Sequence, residues 1–574
     1  MSKMKKGIAL TLSLTLCASM GLGLAGCKKD KVIVDGKTIN IKAYKSGNGV
    51  EWLYELASKF EKAYEEEGYK VNILTPSNDM MGDVVLTDMA LGAEETGIDL
   101  YITANIDADK VGALGDYGIL AEEIEETVFN KAPIGYDGKE EDKLISEKIE
   151  ERRIEYSRDD NGVMYAFQYT GHVAGLSVNK KKLDMYGLEI PKTTNELLDC
   201  MEKIYTGTNG VANSAESDIY PMTFVQGTNG YVVGALTTFL AQYDKAQYEQ
   251  FWSMQKNVNG TLTDMLEDGY TVYDLPCIEE MLTLAYAFMD QRIATRGSTT
   301  QALDQAQAKL MEANEGAVFM FNGSWMLNEV RLNYKNNIHD VTFARMPLIS
   351  ALGTKLMGTG TAYNLDAEKC DKVLSYIAGL VDANEEIEDI ITKVNTEFGV
   401  TLAKEVVQEI AMARGAVFQR GVEEVCYINK GAAAKVPAEL FLRMMASDDF
   451  AQTWLDCAYS TTAYASDMDL SDVPYEFVKE AAKISTSKYA NMVMGSGHLS
   501  GLRKKLGLGS ILANTAHIPS AISAGEIVSM YDMYGHRDTN KTLQVYRDAA
   551  NALQEKEVKF AKDNWATWIR ELED

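Results

Sequence analysis

The sequence predicts an α/β fold built on a parallel sheet, and three features near the amino terminus carry this prediction. Residues 38–44 alternate polar and apolar side chains, as a half-buried strand does. Apolar residues then recur at three- and four-residue intervals between 53 and 64, the period of a helix with one buried face. A second strand is predicted at 70–74. Strands connected through a helix run parallel, because the helix returns the chain to the same edge of the sheet.

The same pattern continues with a helix predicted at 80–91 and a third strand at 97–103. Open parallel sheets bind ligands beyond the carboxyl ends of their strands. We therefore expect residues 46–49 and 103–105, which follow the first and third strands, to lie on a binding edge. Strand order therefore predicts where a ligand binds but not which ligand it is.

A second lobe is predicted to begin in the following part of the chain. Residues 121–160 are dense in charged side chains, which indicates a solvated rim, and a strand is predicted at 173–178. Pro191 then ends the preceding segment. Thr193 and Glu196 have the spacing of a capping box, in which each side chain accepts a hydrogen bond from a backbone N–H at the start of a helix.

The amino terminus is typical of an exported protein. Three lysines precede an uncharged apolar run at 7–24, and small residues lead from it to Cys27. The run is near the lower length limit for a membrane-spanning helix, but its glycines and the charges directly after Cys27 favour cleavage. The residues ending at Cys27 resemble the lipobox of bacterial lipoproteins. This resemblance implies a signal peptide at 1–26, a lipidated Cys27 and a tether at 27–37.

Composition argues against several function classes. The formal net charge is −28, and no basic stripe follows Lys31, so a nucleic-acid partner is not expected. An anionic ligand is also disfavoured. The 30 tyrosines suit sugar-like ligands, because each offers a flat apolar face and a hydroxyl. The dispersed cysteines and histidines have no zinc-ligand spacing, and we expect neither a metal nor another cofactor.

Several stretches of the chain carry motifs in a recognisable order and spacing: 161–167, 175–180, 186–194, 315–326 and 433–450. The fourth stretch contains Gly316 and the run Gly323, Ser324 and Trp325. Together these stretches resemble the extracellular solute-binding proteins of bacterial ABC importers, the family that includes the maltose-binding protein.

The resemblance implies a type II periplasmic-binding-protein fold, in which two α/β lobes hold a ligand between them and close by a hinge. Lobe one is expected to comprise 38–170 and 360–460. Lobe two is expected to comprise 171–359 and 465–574. The chain departs from compact members of the family at 366–430, which is longer, helix-rich and acidic.

The resemblance also implies ligand-binding residues. Trp325 would stack on a ligand ring, with Gly323 letting the backbone turn so that the indole faces the cleft; the alternative is a core tryptophan. Asn48 and Asn105 would make polar contacts, although either side chain could instead cap a helix. The other expected ligand contacts are Gln168, Tyr169, Phe224, Gln226, Asn229 and Gly358.

We therefore expect a lipid-anchored receptor outside the cytoplasmic membrane that captures a carbohydrate and delivers it to an ABC permease. The expected partners are the carbohydrate, the permease subunits and the membrane, reached through Cys27. Another solute class on the same scaffold stays open, and a secreted glycan-degrading enzyme is a more distant alternative. Enzyme activity is not expected, because the sequence has no nucleophile elbow and no H-E-x-x-H motif.

Overall fold

Two main sheets, one in each half of the molecule, organise the fold. The computed structural model describes residues 31–104, 106–113, 115–159, 161–225, 230–253, 275–288, 291–298, 301–419 and 424–494. In chain order, the strands β1 to β11 are Thr38–Ala43, Lys70–Ile73, Leu100–Ala104, Phe167–Gln168, Ala174–Asn179, Ile219–Met222, Gly316–Gly323, Val341–Ala344, Ala416–Gln419, Glu424–Ile428 and Asn491–Met494.

The first sheet has the strand order β2-β1-β3-β10-β4. β1 pairs in parallel with both β2 and β3, which confirms the predicted strand–helix–strand arrangement. β10 comes from a distant part of the chain and runs antiparallel between β3 and β4. The helical segments of this half are Glu51–Ala63, Asp83–Ala90, Ala93–Thr96, Ala108–Val111, Glu125–Phe129, Ile145–Lys148, Glu151–Tyr156, Lys435–Met445 and Asp448–Ala458.

The second sheet has the order β6-β7-β5-β8, with β5 antiparallel to both neighbours. β9 and β11 form a separate parallel pair. The helical segments of this half are Lys180–Met185, Thr194–Thr206, Ser214–Ser217, Gly230–Tyr243, Lys245–Ser253, Pro276–Phe288, Gln291–Ile293, Leu303–Met311, Met326–Val330, Ile338–Asp340, Ser350–Met357, Ala367–Asp382, Ile387–Phe398, Lys404–Gly415 and Glu476–Ser485.

The capping box predicted in the second half is present. The Thr193 hydroxyl accepts a hydrogen bond from the backbone N–H of Glu196 at 3.2 Å, and the Glu196 carboxylate accepts one from the N–H of Thr193 at 3.4 Å. The helix Thr194–Thr206 begins directly after this cap and buries Leu197 and Met201. Local sequence chemistry therefore sets this helix start, as expected.

The packing of the long helical segment differs from the expected division of the chain. Cys370, Val373 and Ile377 of the helix Ala367–Asp382 are fully buried in the same core as Leu176 of β5. The expectation assigned residues 360–460 to lobe one. The apolar face of this helix is instead covered by lobe two, and the chain returns to the first sheet only with β10.

Two of the segments that join the halves are bonded to each other. The N–H of Gly171 donates to the carbonyl oxygen of Thr461 at 2.8 Å, and the Thr461 hydroxyl donates back to the carbonyl of Gly171 at 3.0 Å. A Cβ at Gly171 would lie 2.2 Å from the carbonyl oxygen of Thr462, so only glycine allows this close approach. The two crossing segments are therefore paired and tightly packed.

Within the described residues, no helix combines the length and apolarity that crossing a membrane requires. The apolar run at 7–24, the predicted signal peptide at 1–26 and Cys27 all lie outside the described residues, as does the part of the expected lobe two from 495 to 574.

Candidate functional site

A buried carboxylate lies at the edge of the first sheet where its parallel strands end. Glu424 begins β10 and pairs with Ala104, the last residue of β3, so it reaches the edge at which the parallel strands end. Its carboxylate accepts hydrogen bonds from the Tyr169 hydroxyl at 2.6 Å and from Asn48 Nδ2 at 3.1 Å. Burial raises the pKa of Tyr169 well above its ordinary value, which keeps the hydroxyl a donor. Two donors therefore stabilise the buried charge.

Asn48 joins the two lobes. Its Oδ1 accepts a hydrogen bond from Asn328 Nδ2 at 3.0 Å, and its Nδ2 lies 3.4 Å from His172 Nε2 on the crossing segment. Asn328 Nδ2 also donates to the carbonyl oxygen of Ala458. Asn48 is 4% exposed and makes no helix-capping hydrogen bond, so it belongs to an interlobe network.

Trp325 faces this network from lobe two. It directly precedes the helix Met326–Val330, is half-buried, and its ring centroid lies 5.6 Å from that of His172. A Cβ at Gly323 would lie 2.1 Å from atoms of the indole ring. Gly323 was expected to permit a turn, but its φ is not positive. Its absent side chain instead leaves space for the indole.

Glu329 lies one helical turn after Trp325, on the same face of the chain. Gln307 Nε2 donates a hydrogen bond to its carboxylate. From lobe one, a Cβ built at Gly47 would lie 3.3 Å from the Glu329 Cγ. The end of the Glu329 side chain is exposed to solvent, but protein atoms occupy most of the space around it. This surrounding protein raises the pKa of Glu329, against the opposing effects of the Gln307 hydrogen bond and the His172 charge.

Tyr44 completes the described aromatic and acidic lining. It follows β1 and is half-buried, and burial is the main cause of the raised pKa of its hydroxyl. The negative charges of Glu424 and Glu329 raise this pKa further, so the hydroxyl lies in the field of both carboxylates. These neighbouring side chains therefore combine aromatic faces with hydrogen-bond acceptors, a composition that suits a polar ring.

The structure brings three of the expected residues together: Asn48, Tyr169 and Trp325. Sequence reasoning missed Glu329, although its spacing of four from Trp325 on a helix predicts a shared face. It also missed the residues that join the site through the tertiary fold, which are His172, Asn328 and Glu424.

Two expected ligand contacts point elsewhere. Gln168 is buried, and its Nε2 donates to the Arg153 carbonyl at 3.0 Å and the Ser157 hydroxyl at 3.3 Å, which fixes β4 to the neighbouring helix. Phe224 is buried in the core of lobe two, with its ring centroid 6.3 Å from that of Phe321. Residue type suggested a ligand role for both, but the packing gives each a structural one.

Gly358 was expected to contact the ligand. Instead, Gly358 ends the helix Ser350–Met357, where its N–H donates to the Thr354 carbonyl at 2.9 Å. A single bridge to Leu365 is the only strand-like pairing of Gly358 in the described structure. The remaining expected contacts, Asn105, Gln226 and Asn229, lie outside the described residues.

A separate groove lies beside the hinge. Its cavity of about 1360 Å³ is lined by Gly171, Val173 and Thr462, by Val417 of β9 and by several acidic side chains, and by none of Asn48, Tyr169 and Trp325. Gly171 and Val173 flank His172, which faces Trp325.

The described residues show no cluster of histidine, cysteine and acidic side chains that could hold a metal ion. Burial raises the pKa of Cys200 and of Cys277 to about 12, so neither thiol is a thiolate nucleophile at neutral pH.

Residues 46–452 match the family of bacterial extracellular solute-binding proteins. No curated protein sequence matches the chain. Similar solved structures include a chitin oligosaccharide binding protein, with 13% identity and a TM-score of 0.52 over 91% of this chain and 99% of that one. The bacterial solute receptor AcbH has 12% identity and a TM-score of 0.51, over 91% and 98% of the two chains.

A probable secreted solute-binding lipoprotein from Streptomyces coelicolor also matches, with 14% identity and a TM-score of 0.51 over 91% of this chain and 99% of that one. At these identities the solved structures establish the fold alone. They confirm the two-lobe α/β architecture, and the family match extends over most of the chain. The protein is thus a member of the bacterial extracellular solute-binding protein family.

Proposed function

We propose that this protein is a lipid-anchored receptor that captures a carbohydrate between its lobes and delivers it to the permease of an ABC transporter. The observation that carries the proposal is the cleft itself, where the Trp325 ring lies one helical turn from the Glu329 carboxylate. Sugar recognition needs an aromatic face for the C–H side of the ring and acceptors for its hydroxyls. This cleft supplies both.

The names of two structural neighbours support the choice of carbohydrate. One is a chitin oligosaccharide binding protein, and AcbH is described as having an exclusive preference for β-D-galactopyranose. These saccharides are the ligands named for the two neighbours. Because this chain shares their fold, saccharides are the first ligand class to test on it.

Screening a panel of oligosaccharides by isothermal calorimetry, with product analysis of the same incubations, tests this proposal. We expect saturable binding of one saccharide per protein and no turnover. Turnover without a stoichiometric complex would indicate a glycan-degrading enzyme instead. Binding of a different solute class with no saccharide bound would also contradict the proposal.

The lipid anchor is proposed from the lipobox that ends at Cys27. Two acyl chains suffice for stable membrane attachment. In a bacterial host that processes lipoproteins, Cys27→Ala should abolish palmitate labelling of the protein. The matched control Cys457→Ala should leave the labelling unchanged. Palmitate labelling that persists in Cys27→Ala would contradict the anchor.

A further inference from the structure

The segment just before β1 is bound to lobe one by a buried asparagine. Asn40 of β1 is 1% exposed, and its side-chain amide pairs with the backbone of Ile33. The Asn40 Oδ1 accepts from the Ile33 N–H at 3.1 Å, and the Asn40 Nδ2 donates to the Ile33 carbonyl at 2.7 Å. Because a backbone N–H only donates and a carbonyl only accepts, this pair of bonds fixes the orientation of the amide.

The remaining hydrogen bonds of Asn40 connect this segment to the sheet. The Asn40 Nδ2 also donates to Asp99 Oδ2 at 3.1 Å, and its Oδ1 also accepts from Asn72 Nδ2 at 2.8 Å. Asn72 Nδ2 donates in turn to the Lys31 carbonyl at 2.9 Å. Release of the segment would leave buried polar groups of Asn40 without partners, which is costly.

Val32 adds an apolar contact on the same edge of lobe one. Its side chain packs against the core that contains Ile98 and Tyr101. A Cβ built at Gly97 would lie 2.4 Å from the Val32 Cγ1, so the glycine leaves the space that Val32 fills. Hydrogen bonds and apolar packing therefore both hold residues 31–34, which we call the strap.

The strap lies close in the chain to the proposed lipid anchor. Lys31 follows Cys27 by four residues, and a fully extended chain spans at most about 3.6 Å per residue, so the two residues are at most about 14 Å apart. An unbound tether over 27–37 could instead extend to about 36 Å. The stretch after Cys27 also carries Lys28, Lys29 and Lys31 against the single acid Asp30, and basic residues beside an anchor favour anionic lipid head groups.

We propose that the strap holds lobe one against the membrane surface, so that its edge at Asn40, Asn72 and Gly97 faces the lipid head groups. Lobe one is then the membrane-proximal lobe. This inference rests on the proposed lipid anchor and names the surface of the protein that the anchor brings to the bilayer.

Resonance energy transfer from a dye on lobe one to labelled lipid head groups tests the inference. The dye is attached through Glu95→Cys, an exposed position near Gly97, in a Cys457→Ala background, because the other cysteines of the described chain are buried. The full lipidated chain is placed in vesicles of phosphatidylcholine and phosphatidylglycerol.

Two insertions distinguish a bound strap from a free tether. A ten-residue Gly-Ser spacer inserted after Asp30 should lower the transfer, because it lengthens the link to the lipid by roughly 17 Å. The same spacer inserted after Val34 should leave the transfer unchanged, because the strap still holds lobe one. Equal lowering by both spacers would overturn the inference and leave the lipid anchor standing.

Val32→Asp should release the strap, because it places a charge against the apolar core. Both spacers should then lower the transfer equally. The matched control is Val436→Asp, an exposed valine on the helix Lys435–Met445, which should keep the difference between the two spacers. If the unmodified chain shows neither palmitate labelling nor energy transfer, the lipid anchor itself fails.

Discussion

The two walls of the cleft differ in how their polar groups are paired. On the lobe-one wall, the Glu424 carboxylate is buried and both its oxygens accept hydrogen bonds, from Tyr169 and from Asn48. On the lobe-two wall, Glu329 is open to solvent and the Asn328 Oδ1 has no partner. The lobe-one carboxylate is thus fully paired within the protein, whereas the lobe-two carboxylate stays exposed.

This difference assigns separate roles to the two walls. A charge that the protein has already satisfied positions its neighbours and costs little reorganisation when a ligand enters. A carboxylate that stays exposed contributes less to the fold and keeps acceptor capacity for a ligand. Substitutions on the lobe-one wall should therefore affect mainly stability, and those on the lobe-two wall mainly affinity.

The largest expected effect on affinity is that of Trp325→Ala. Loss of a ring-stacking anchor should weaken ligand binding by about 2–4 kcal/mol, or roughly 30- to 1,000-fold in Kd. Because the side chain is half-buried in the cleft, the melting temperature should change little. Calorimetry and thermal unfolding of the same variant measure both quantities. Unchanged affinity would remove Trp325 from the site.

Trp454 provides the matched control. It is fully buried, its Nε1 donates to the Thr461 carbonyl at 3.1 Å, and its ring packs at 5.2 Å from that of Trp52. Trp454→Ala should lower the free energy of unfolding by about 3–5 kcal/mol, the cost of a large core cavity. A similar loss of stability in Trp325→Ala would place Trp325 in the core as well.

The next largest effect, on stability, is expected from Tyr169→Phe, which removes one hydrogen-bond donor from the buried Glu424 carboxylate. Hydrogen bonds to charged groups contribute about 1.5–3 kcal/mol, so the free energy of unfolding should fall by about that amount. Chemical denaturation measures it. Affinity should fall less than in Trp325→Ala, and the reverse order would show that the lobe-one wall contacts the ligand directly.

Gly323→Ala tests the close approach of the Trp325 indole. The added methyl group would occupy the space of the ring, so the indole must move. We expect affinity to fall about tenfold, or about 1.4 kcal/mol. In a Trp325→Ala background the same change should cost little, because the two residues act as one unit. If the losses of affinity in the double variant were additive, Gly323 and Trp325 would act independently.

The smallest effect is a pH dependence at Glu329. Because the surrounding protein raises the pKa of this carboxyl, the charged form destabilises the fold at pH values above that pKa. Glu329→Gln should therefore raise the melting temperature of the ligand-free protein at neutral pH. The gain should shrink as the pH falls through the raised pKa, where wild-type Glu329 becomes neutral. A gain that is independent of pH would contradict this assignment.

Local patterns in the sequence predicted much of the fold. Alternation and helical periodicity placed the strands Thr38–Ala43 and Lys70–Ile73 and their parallel pairing, and the capping box placed the start of the helix at Thr194. The same patterns could not predict whether the side chains of Gln168 and Phe224 face a ligand or the core. A polar or aromatic residue gives the same local pattern in either position. Side-chain direction depends on what packs against the element.

The sequence by itself determined the α/β class, the parallel strand–helix–strand start of the first sheet and the capped start of the helix at Thr194, because these depend on neighbours a few residues apart. Only the tertiary structure decided which side chains meet between the lobes. Tyr169 and Glu424 are 255 positions apart, and Asn48 and Asn328 are 280 apart. Such pairs form only when the sheets and the hinge bring distant segments within about 3 Å, a distance that no local periodicity encodes.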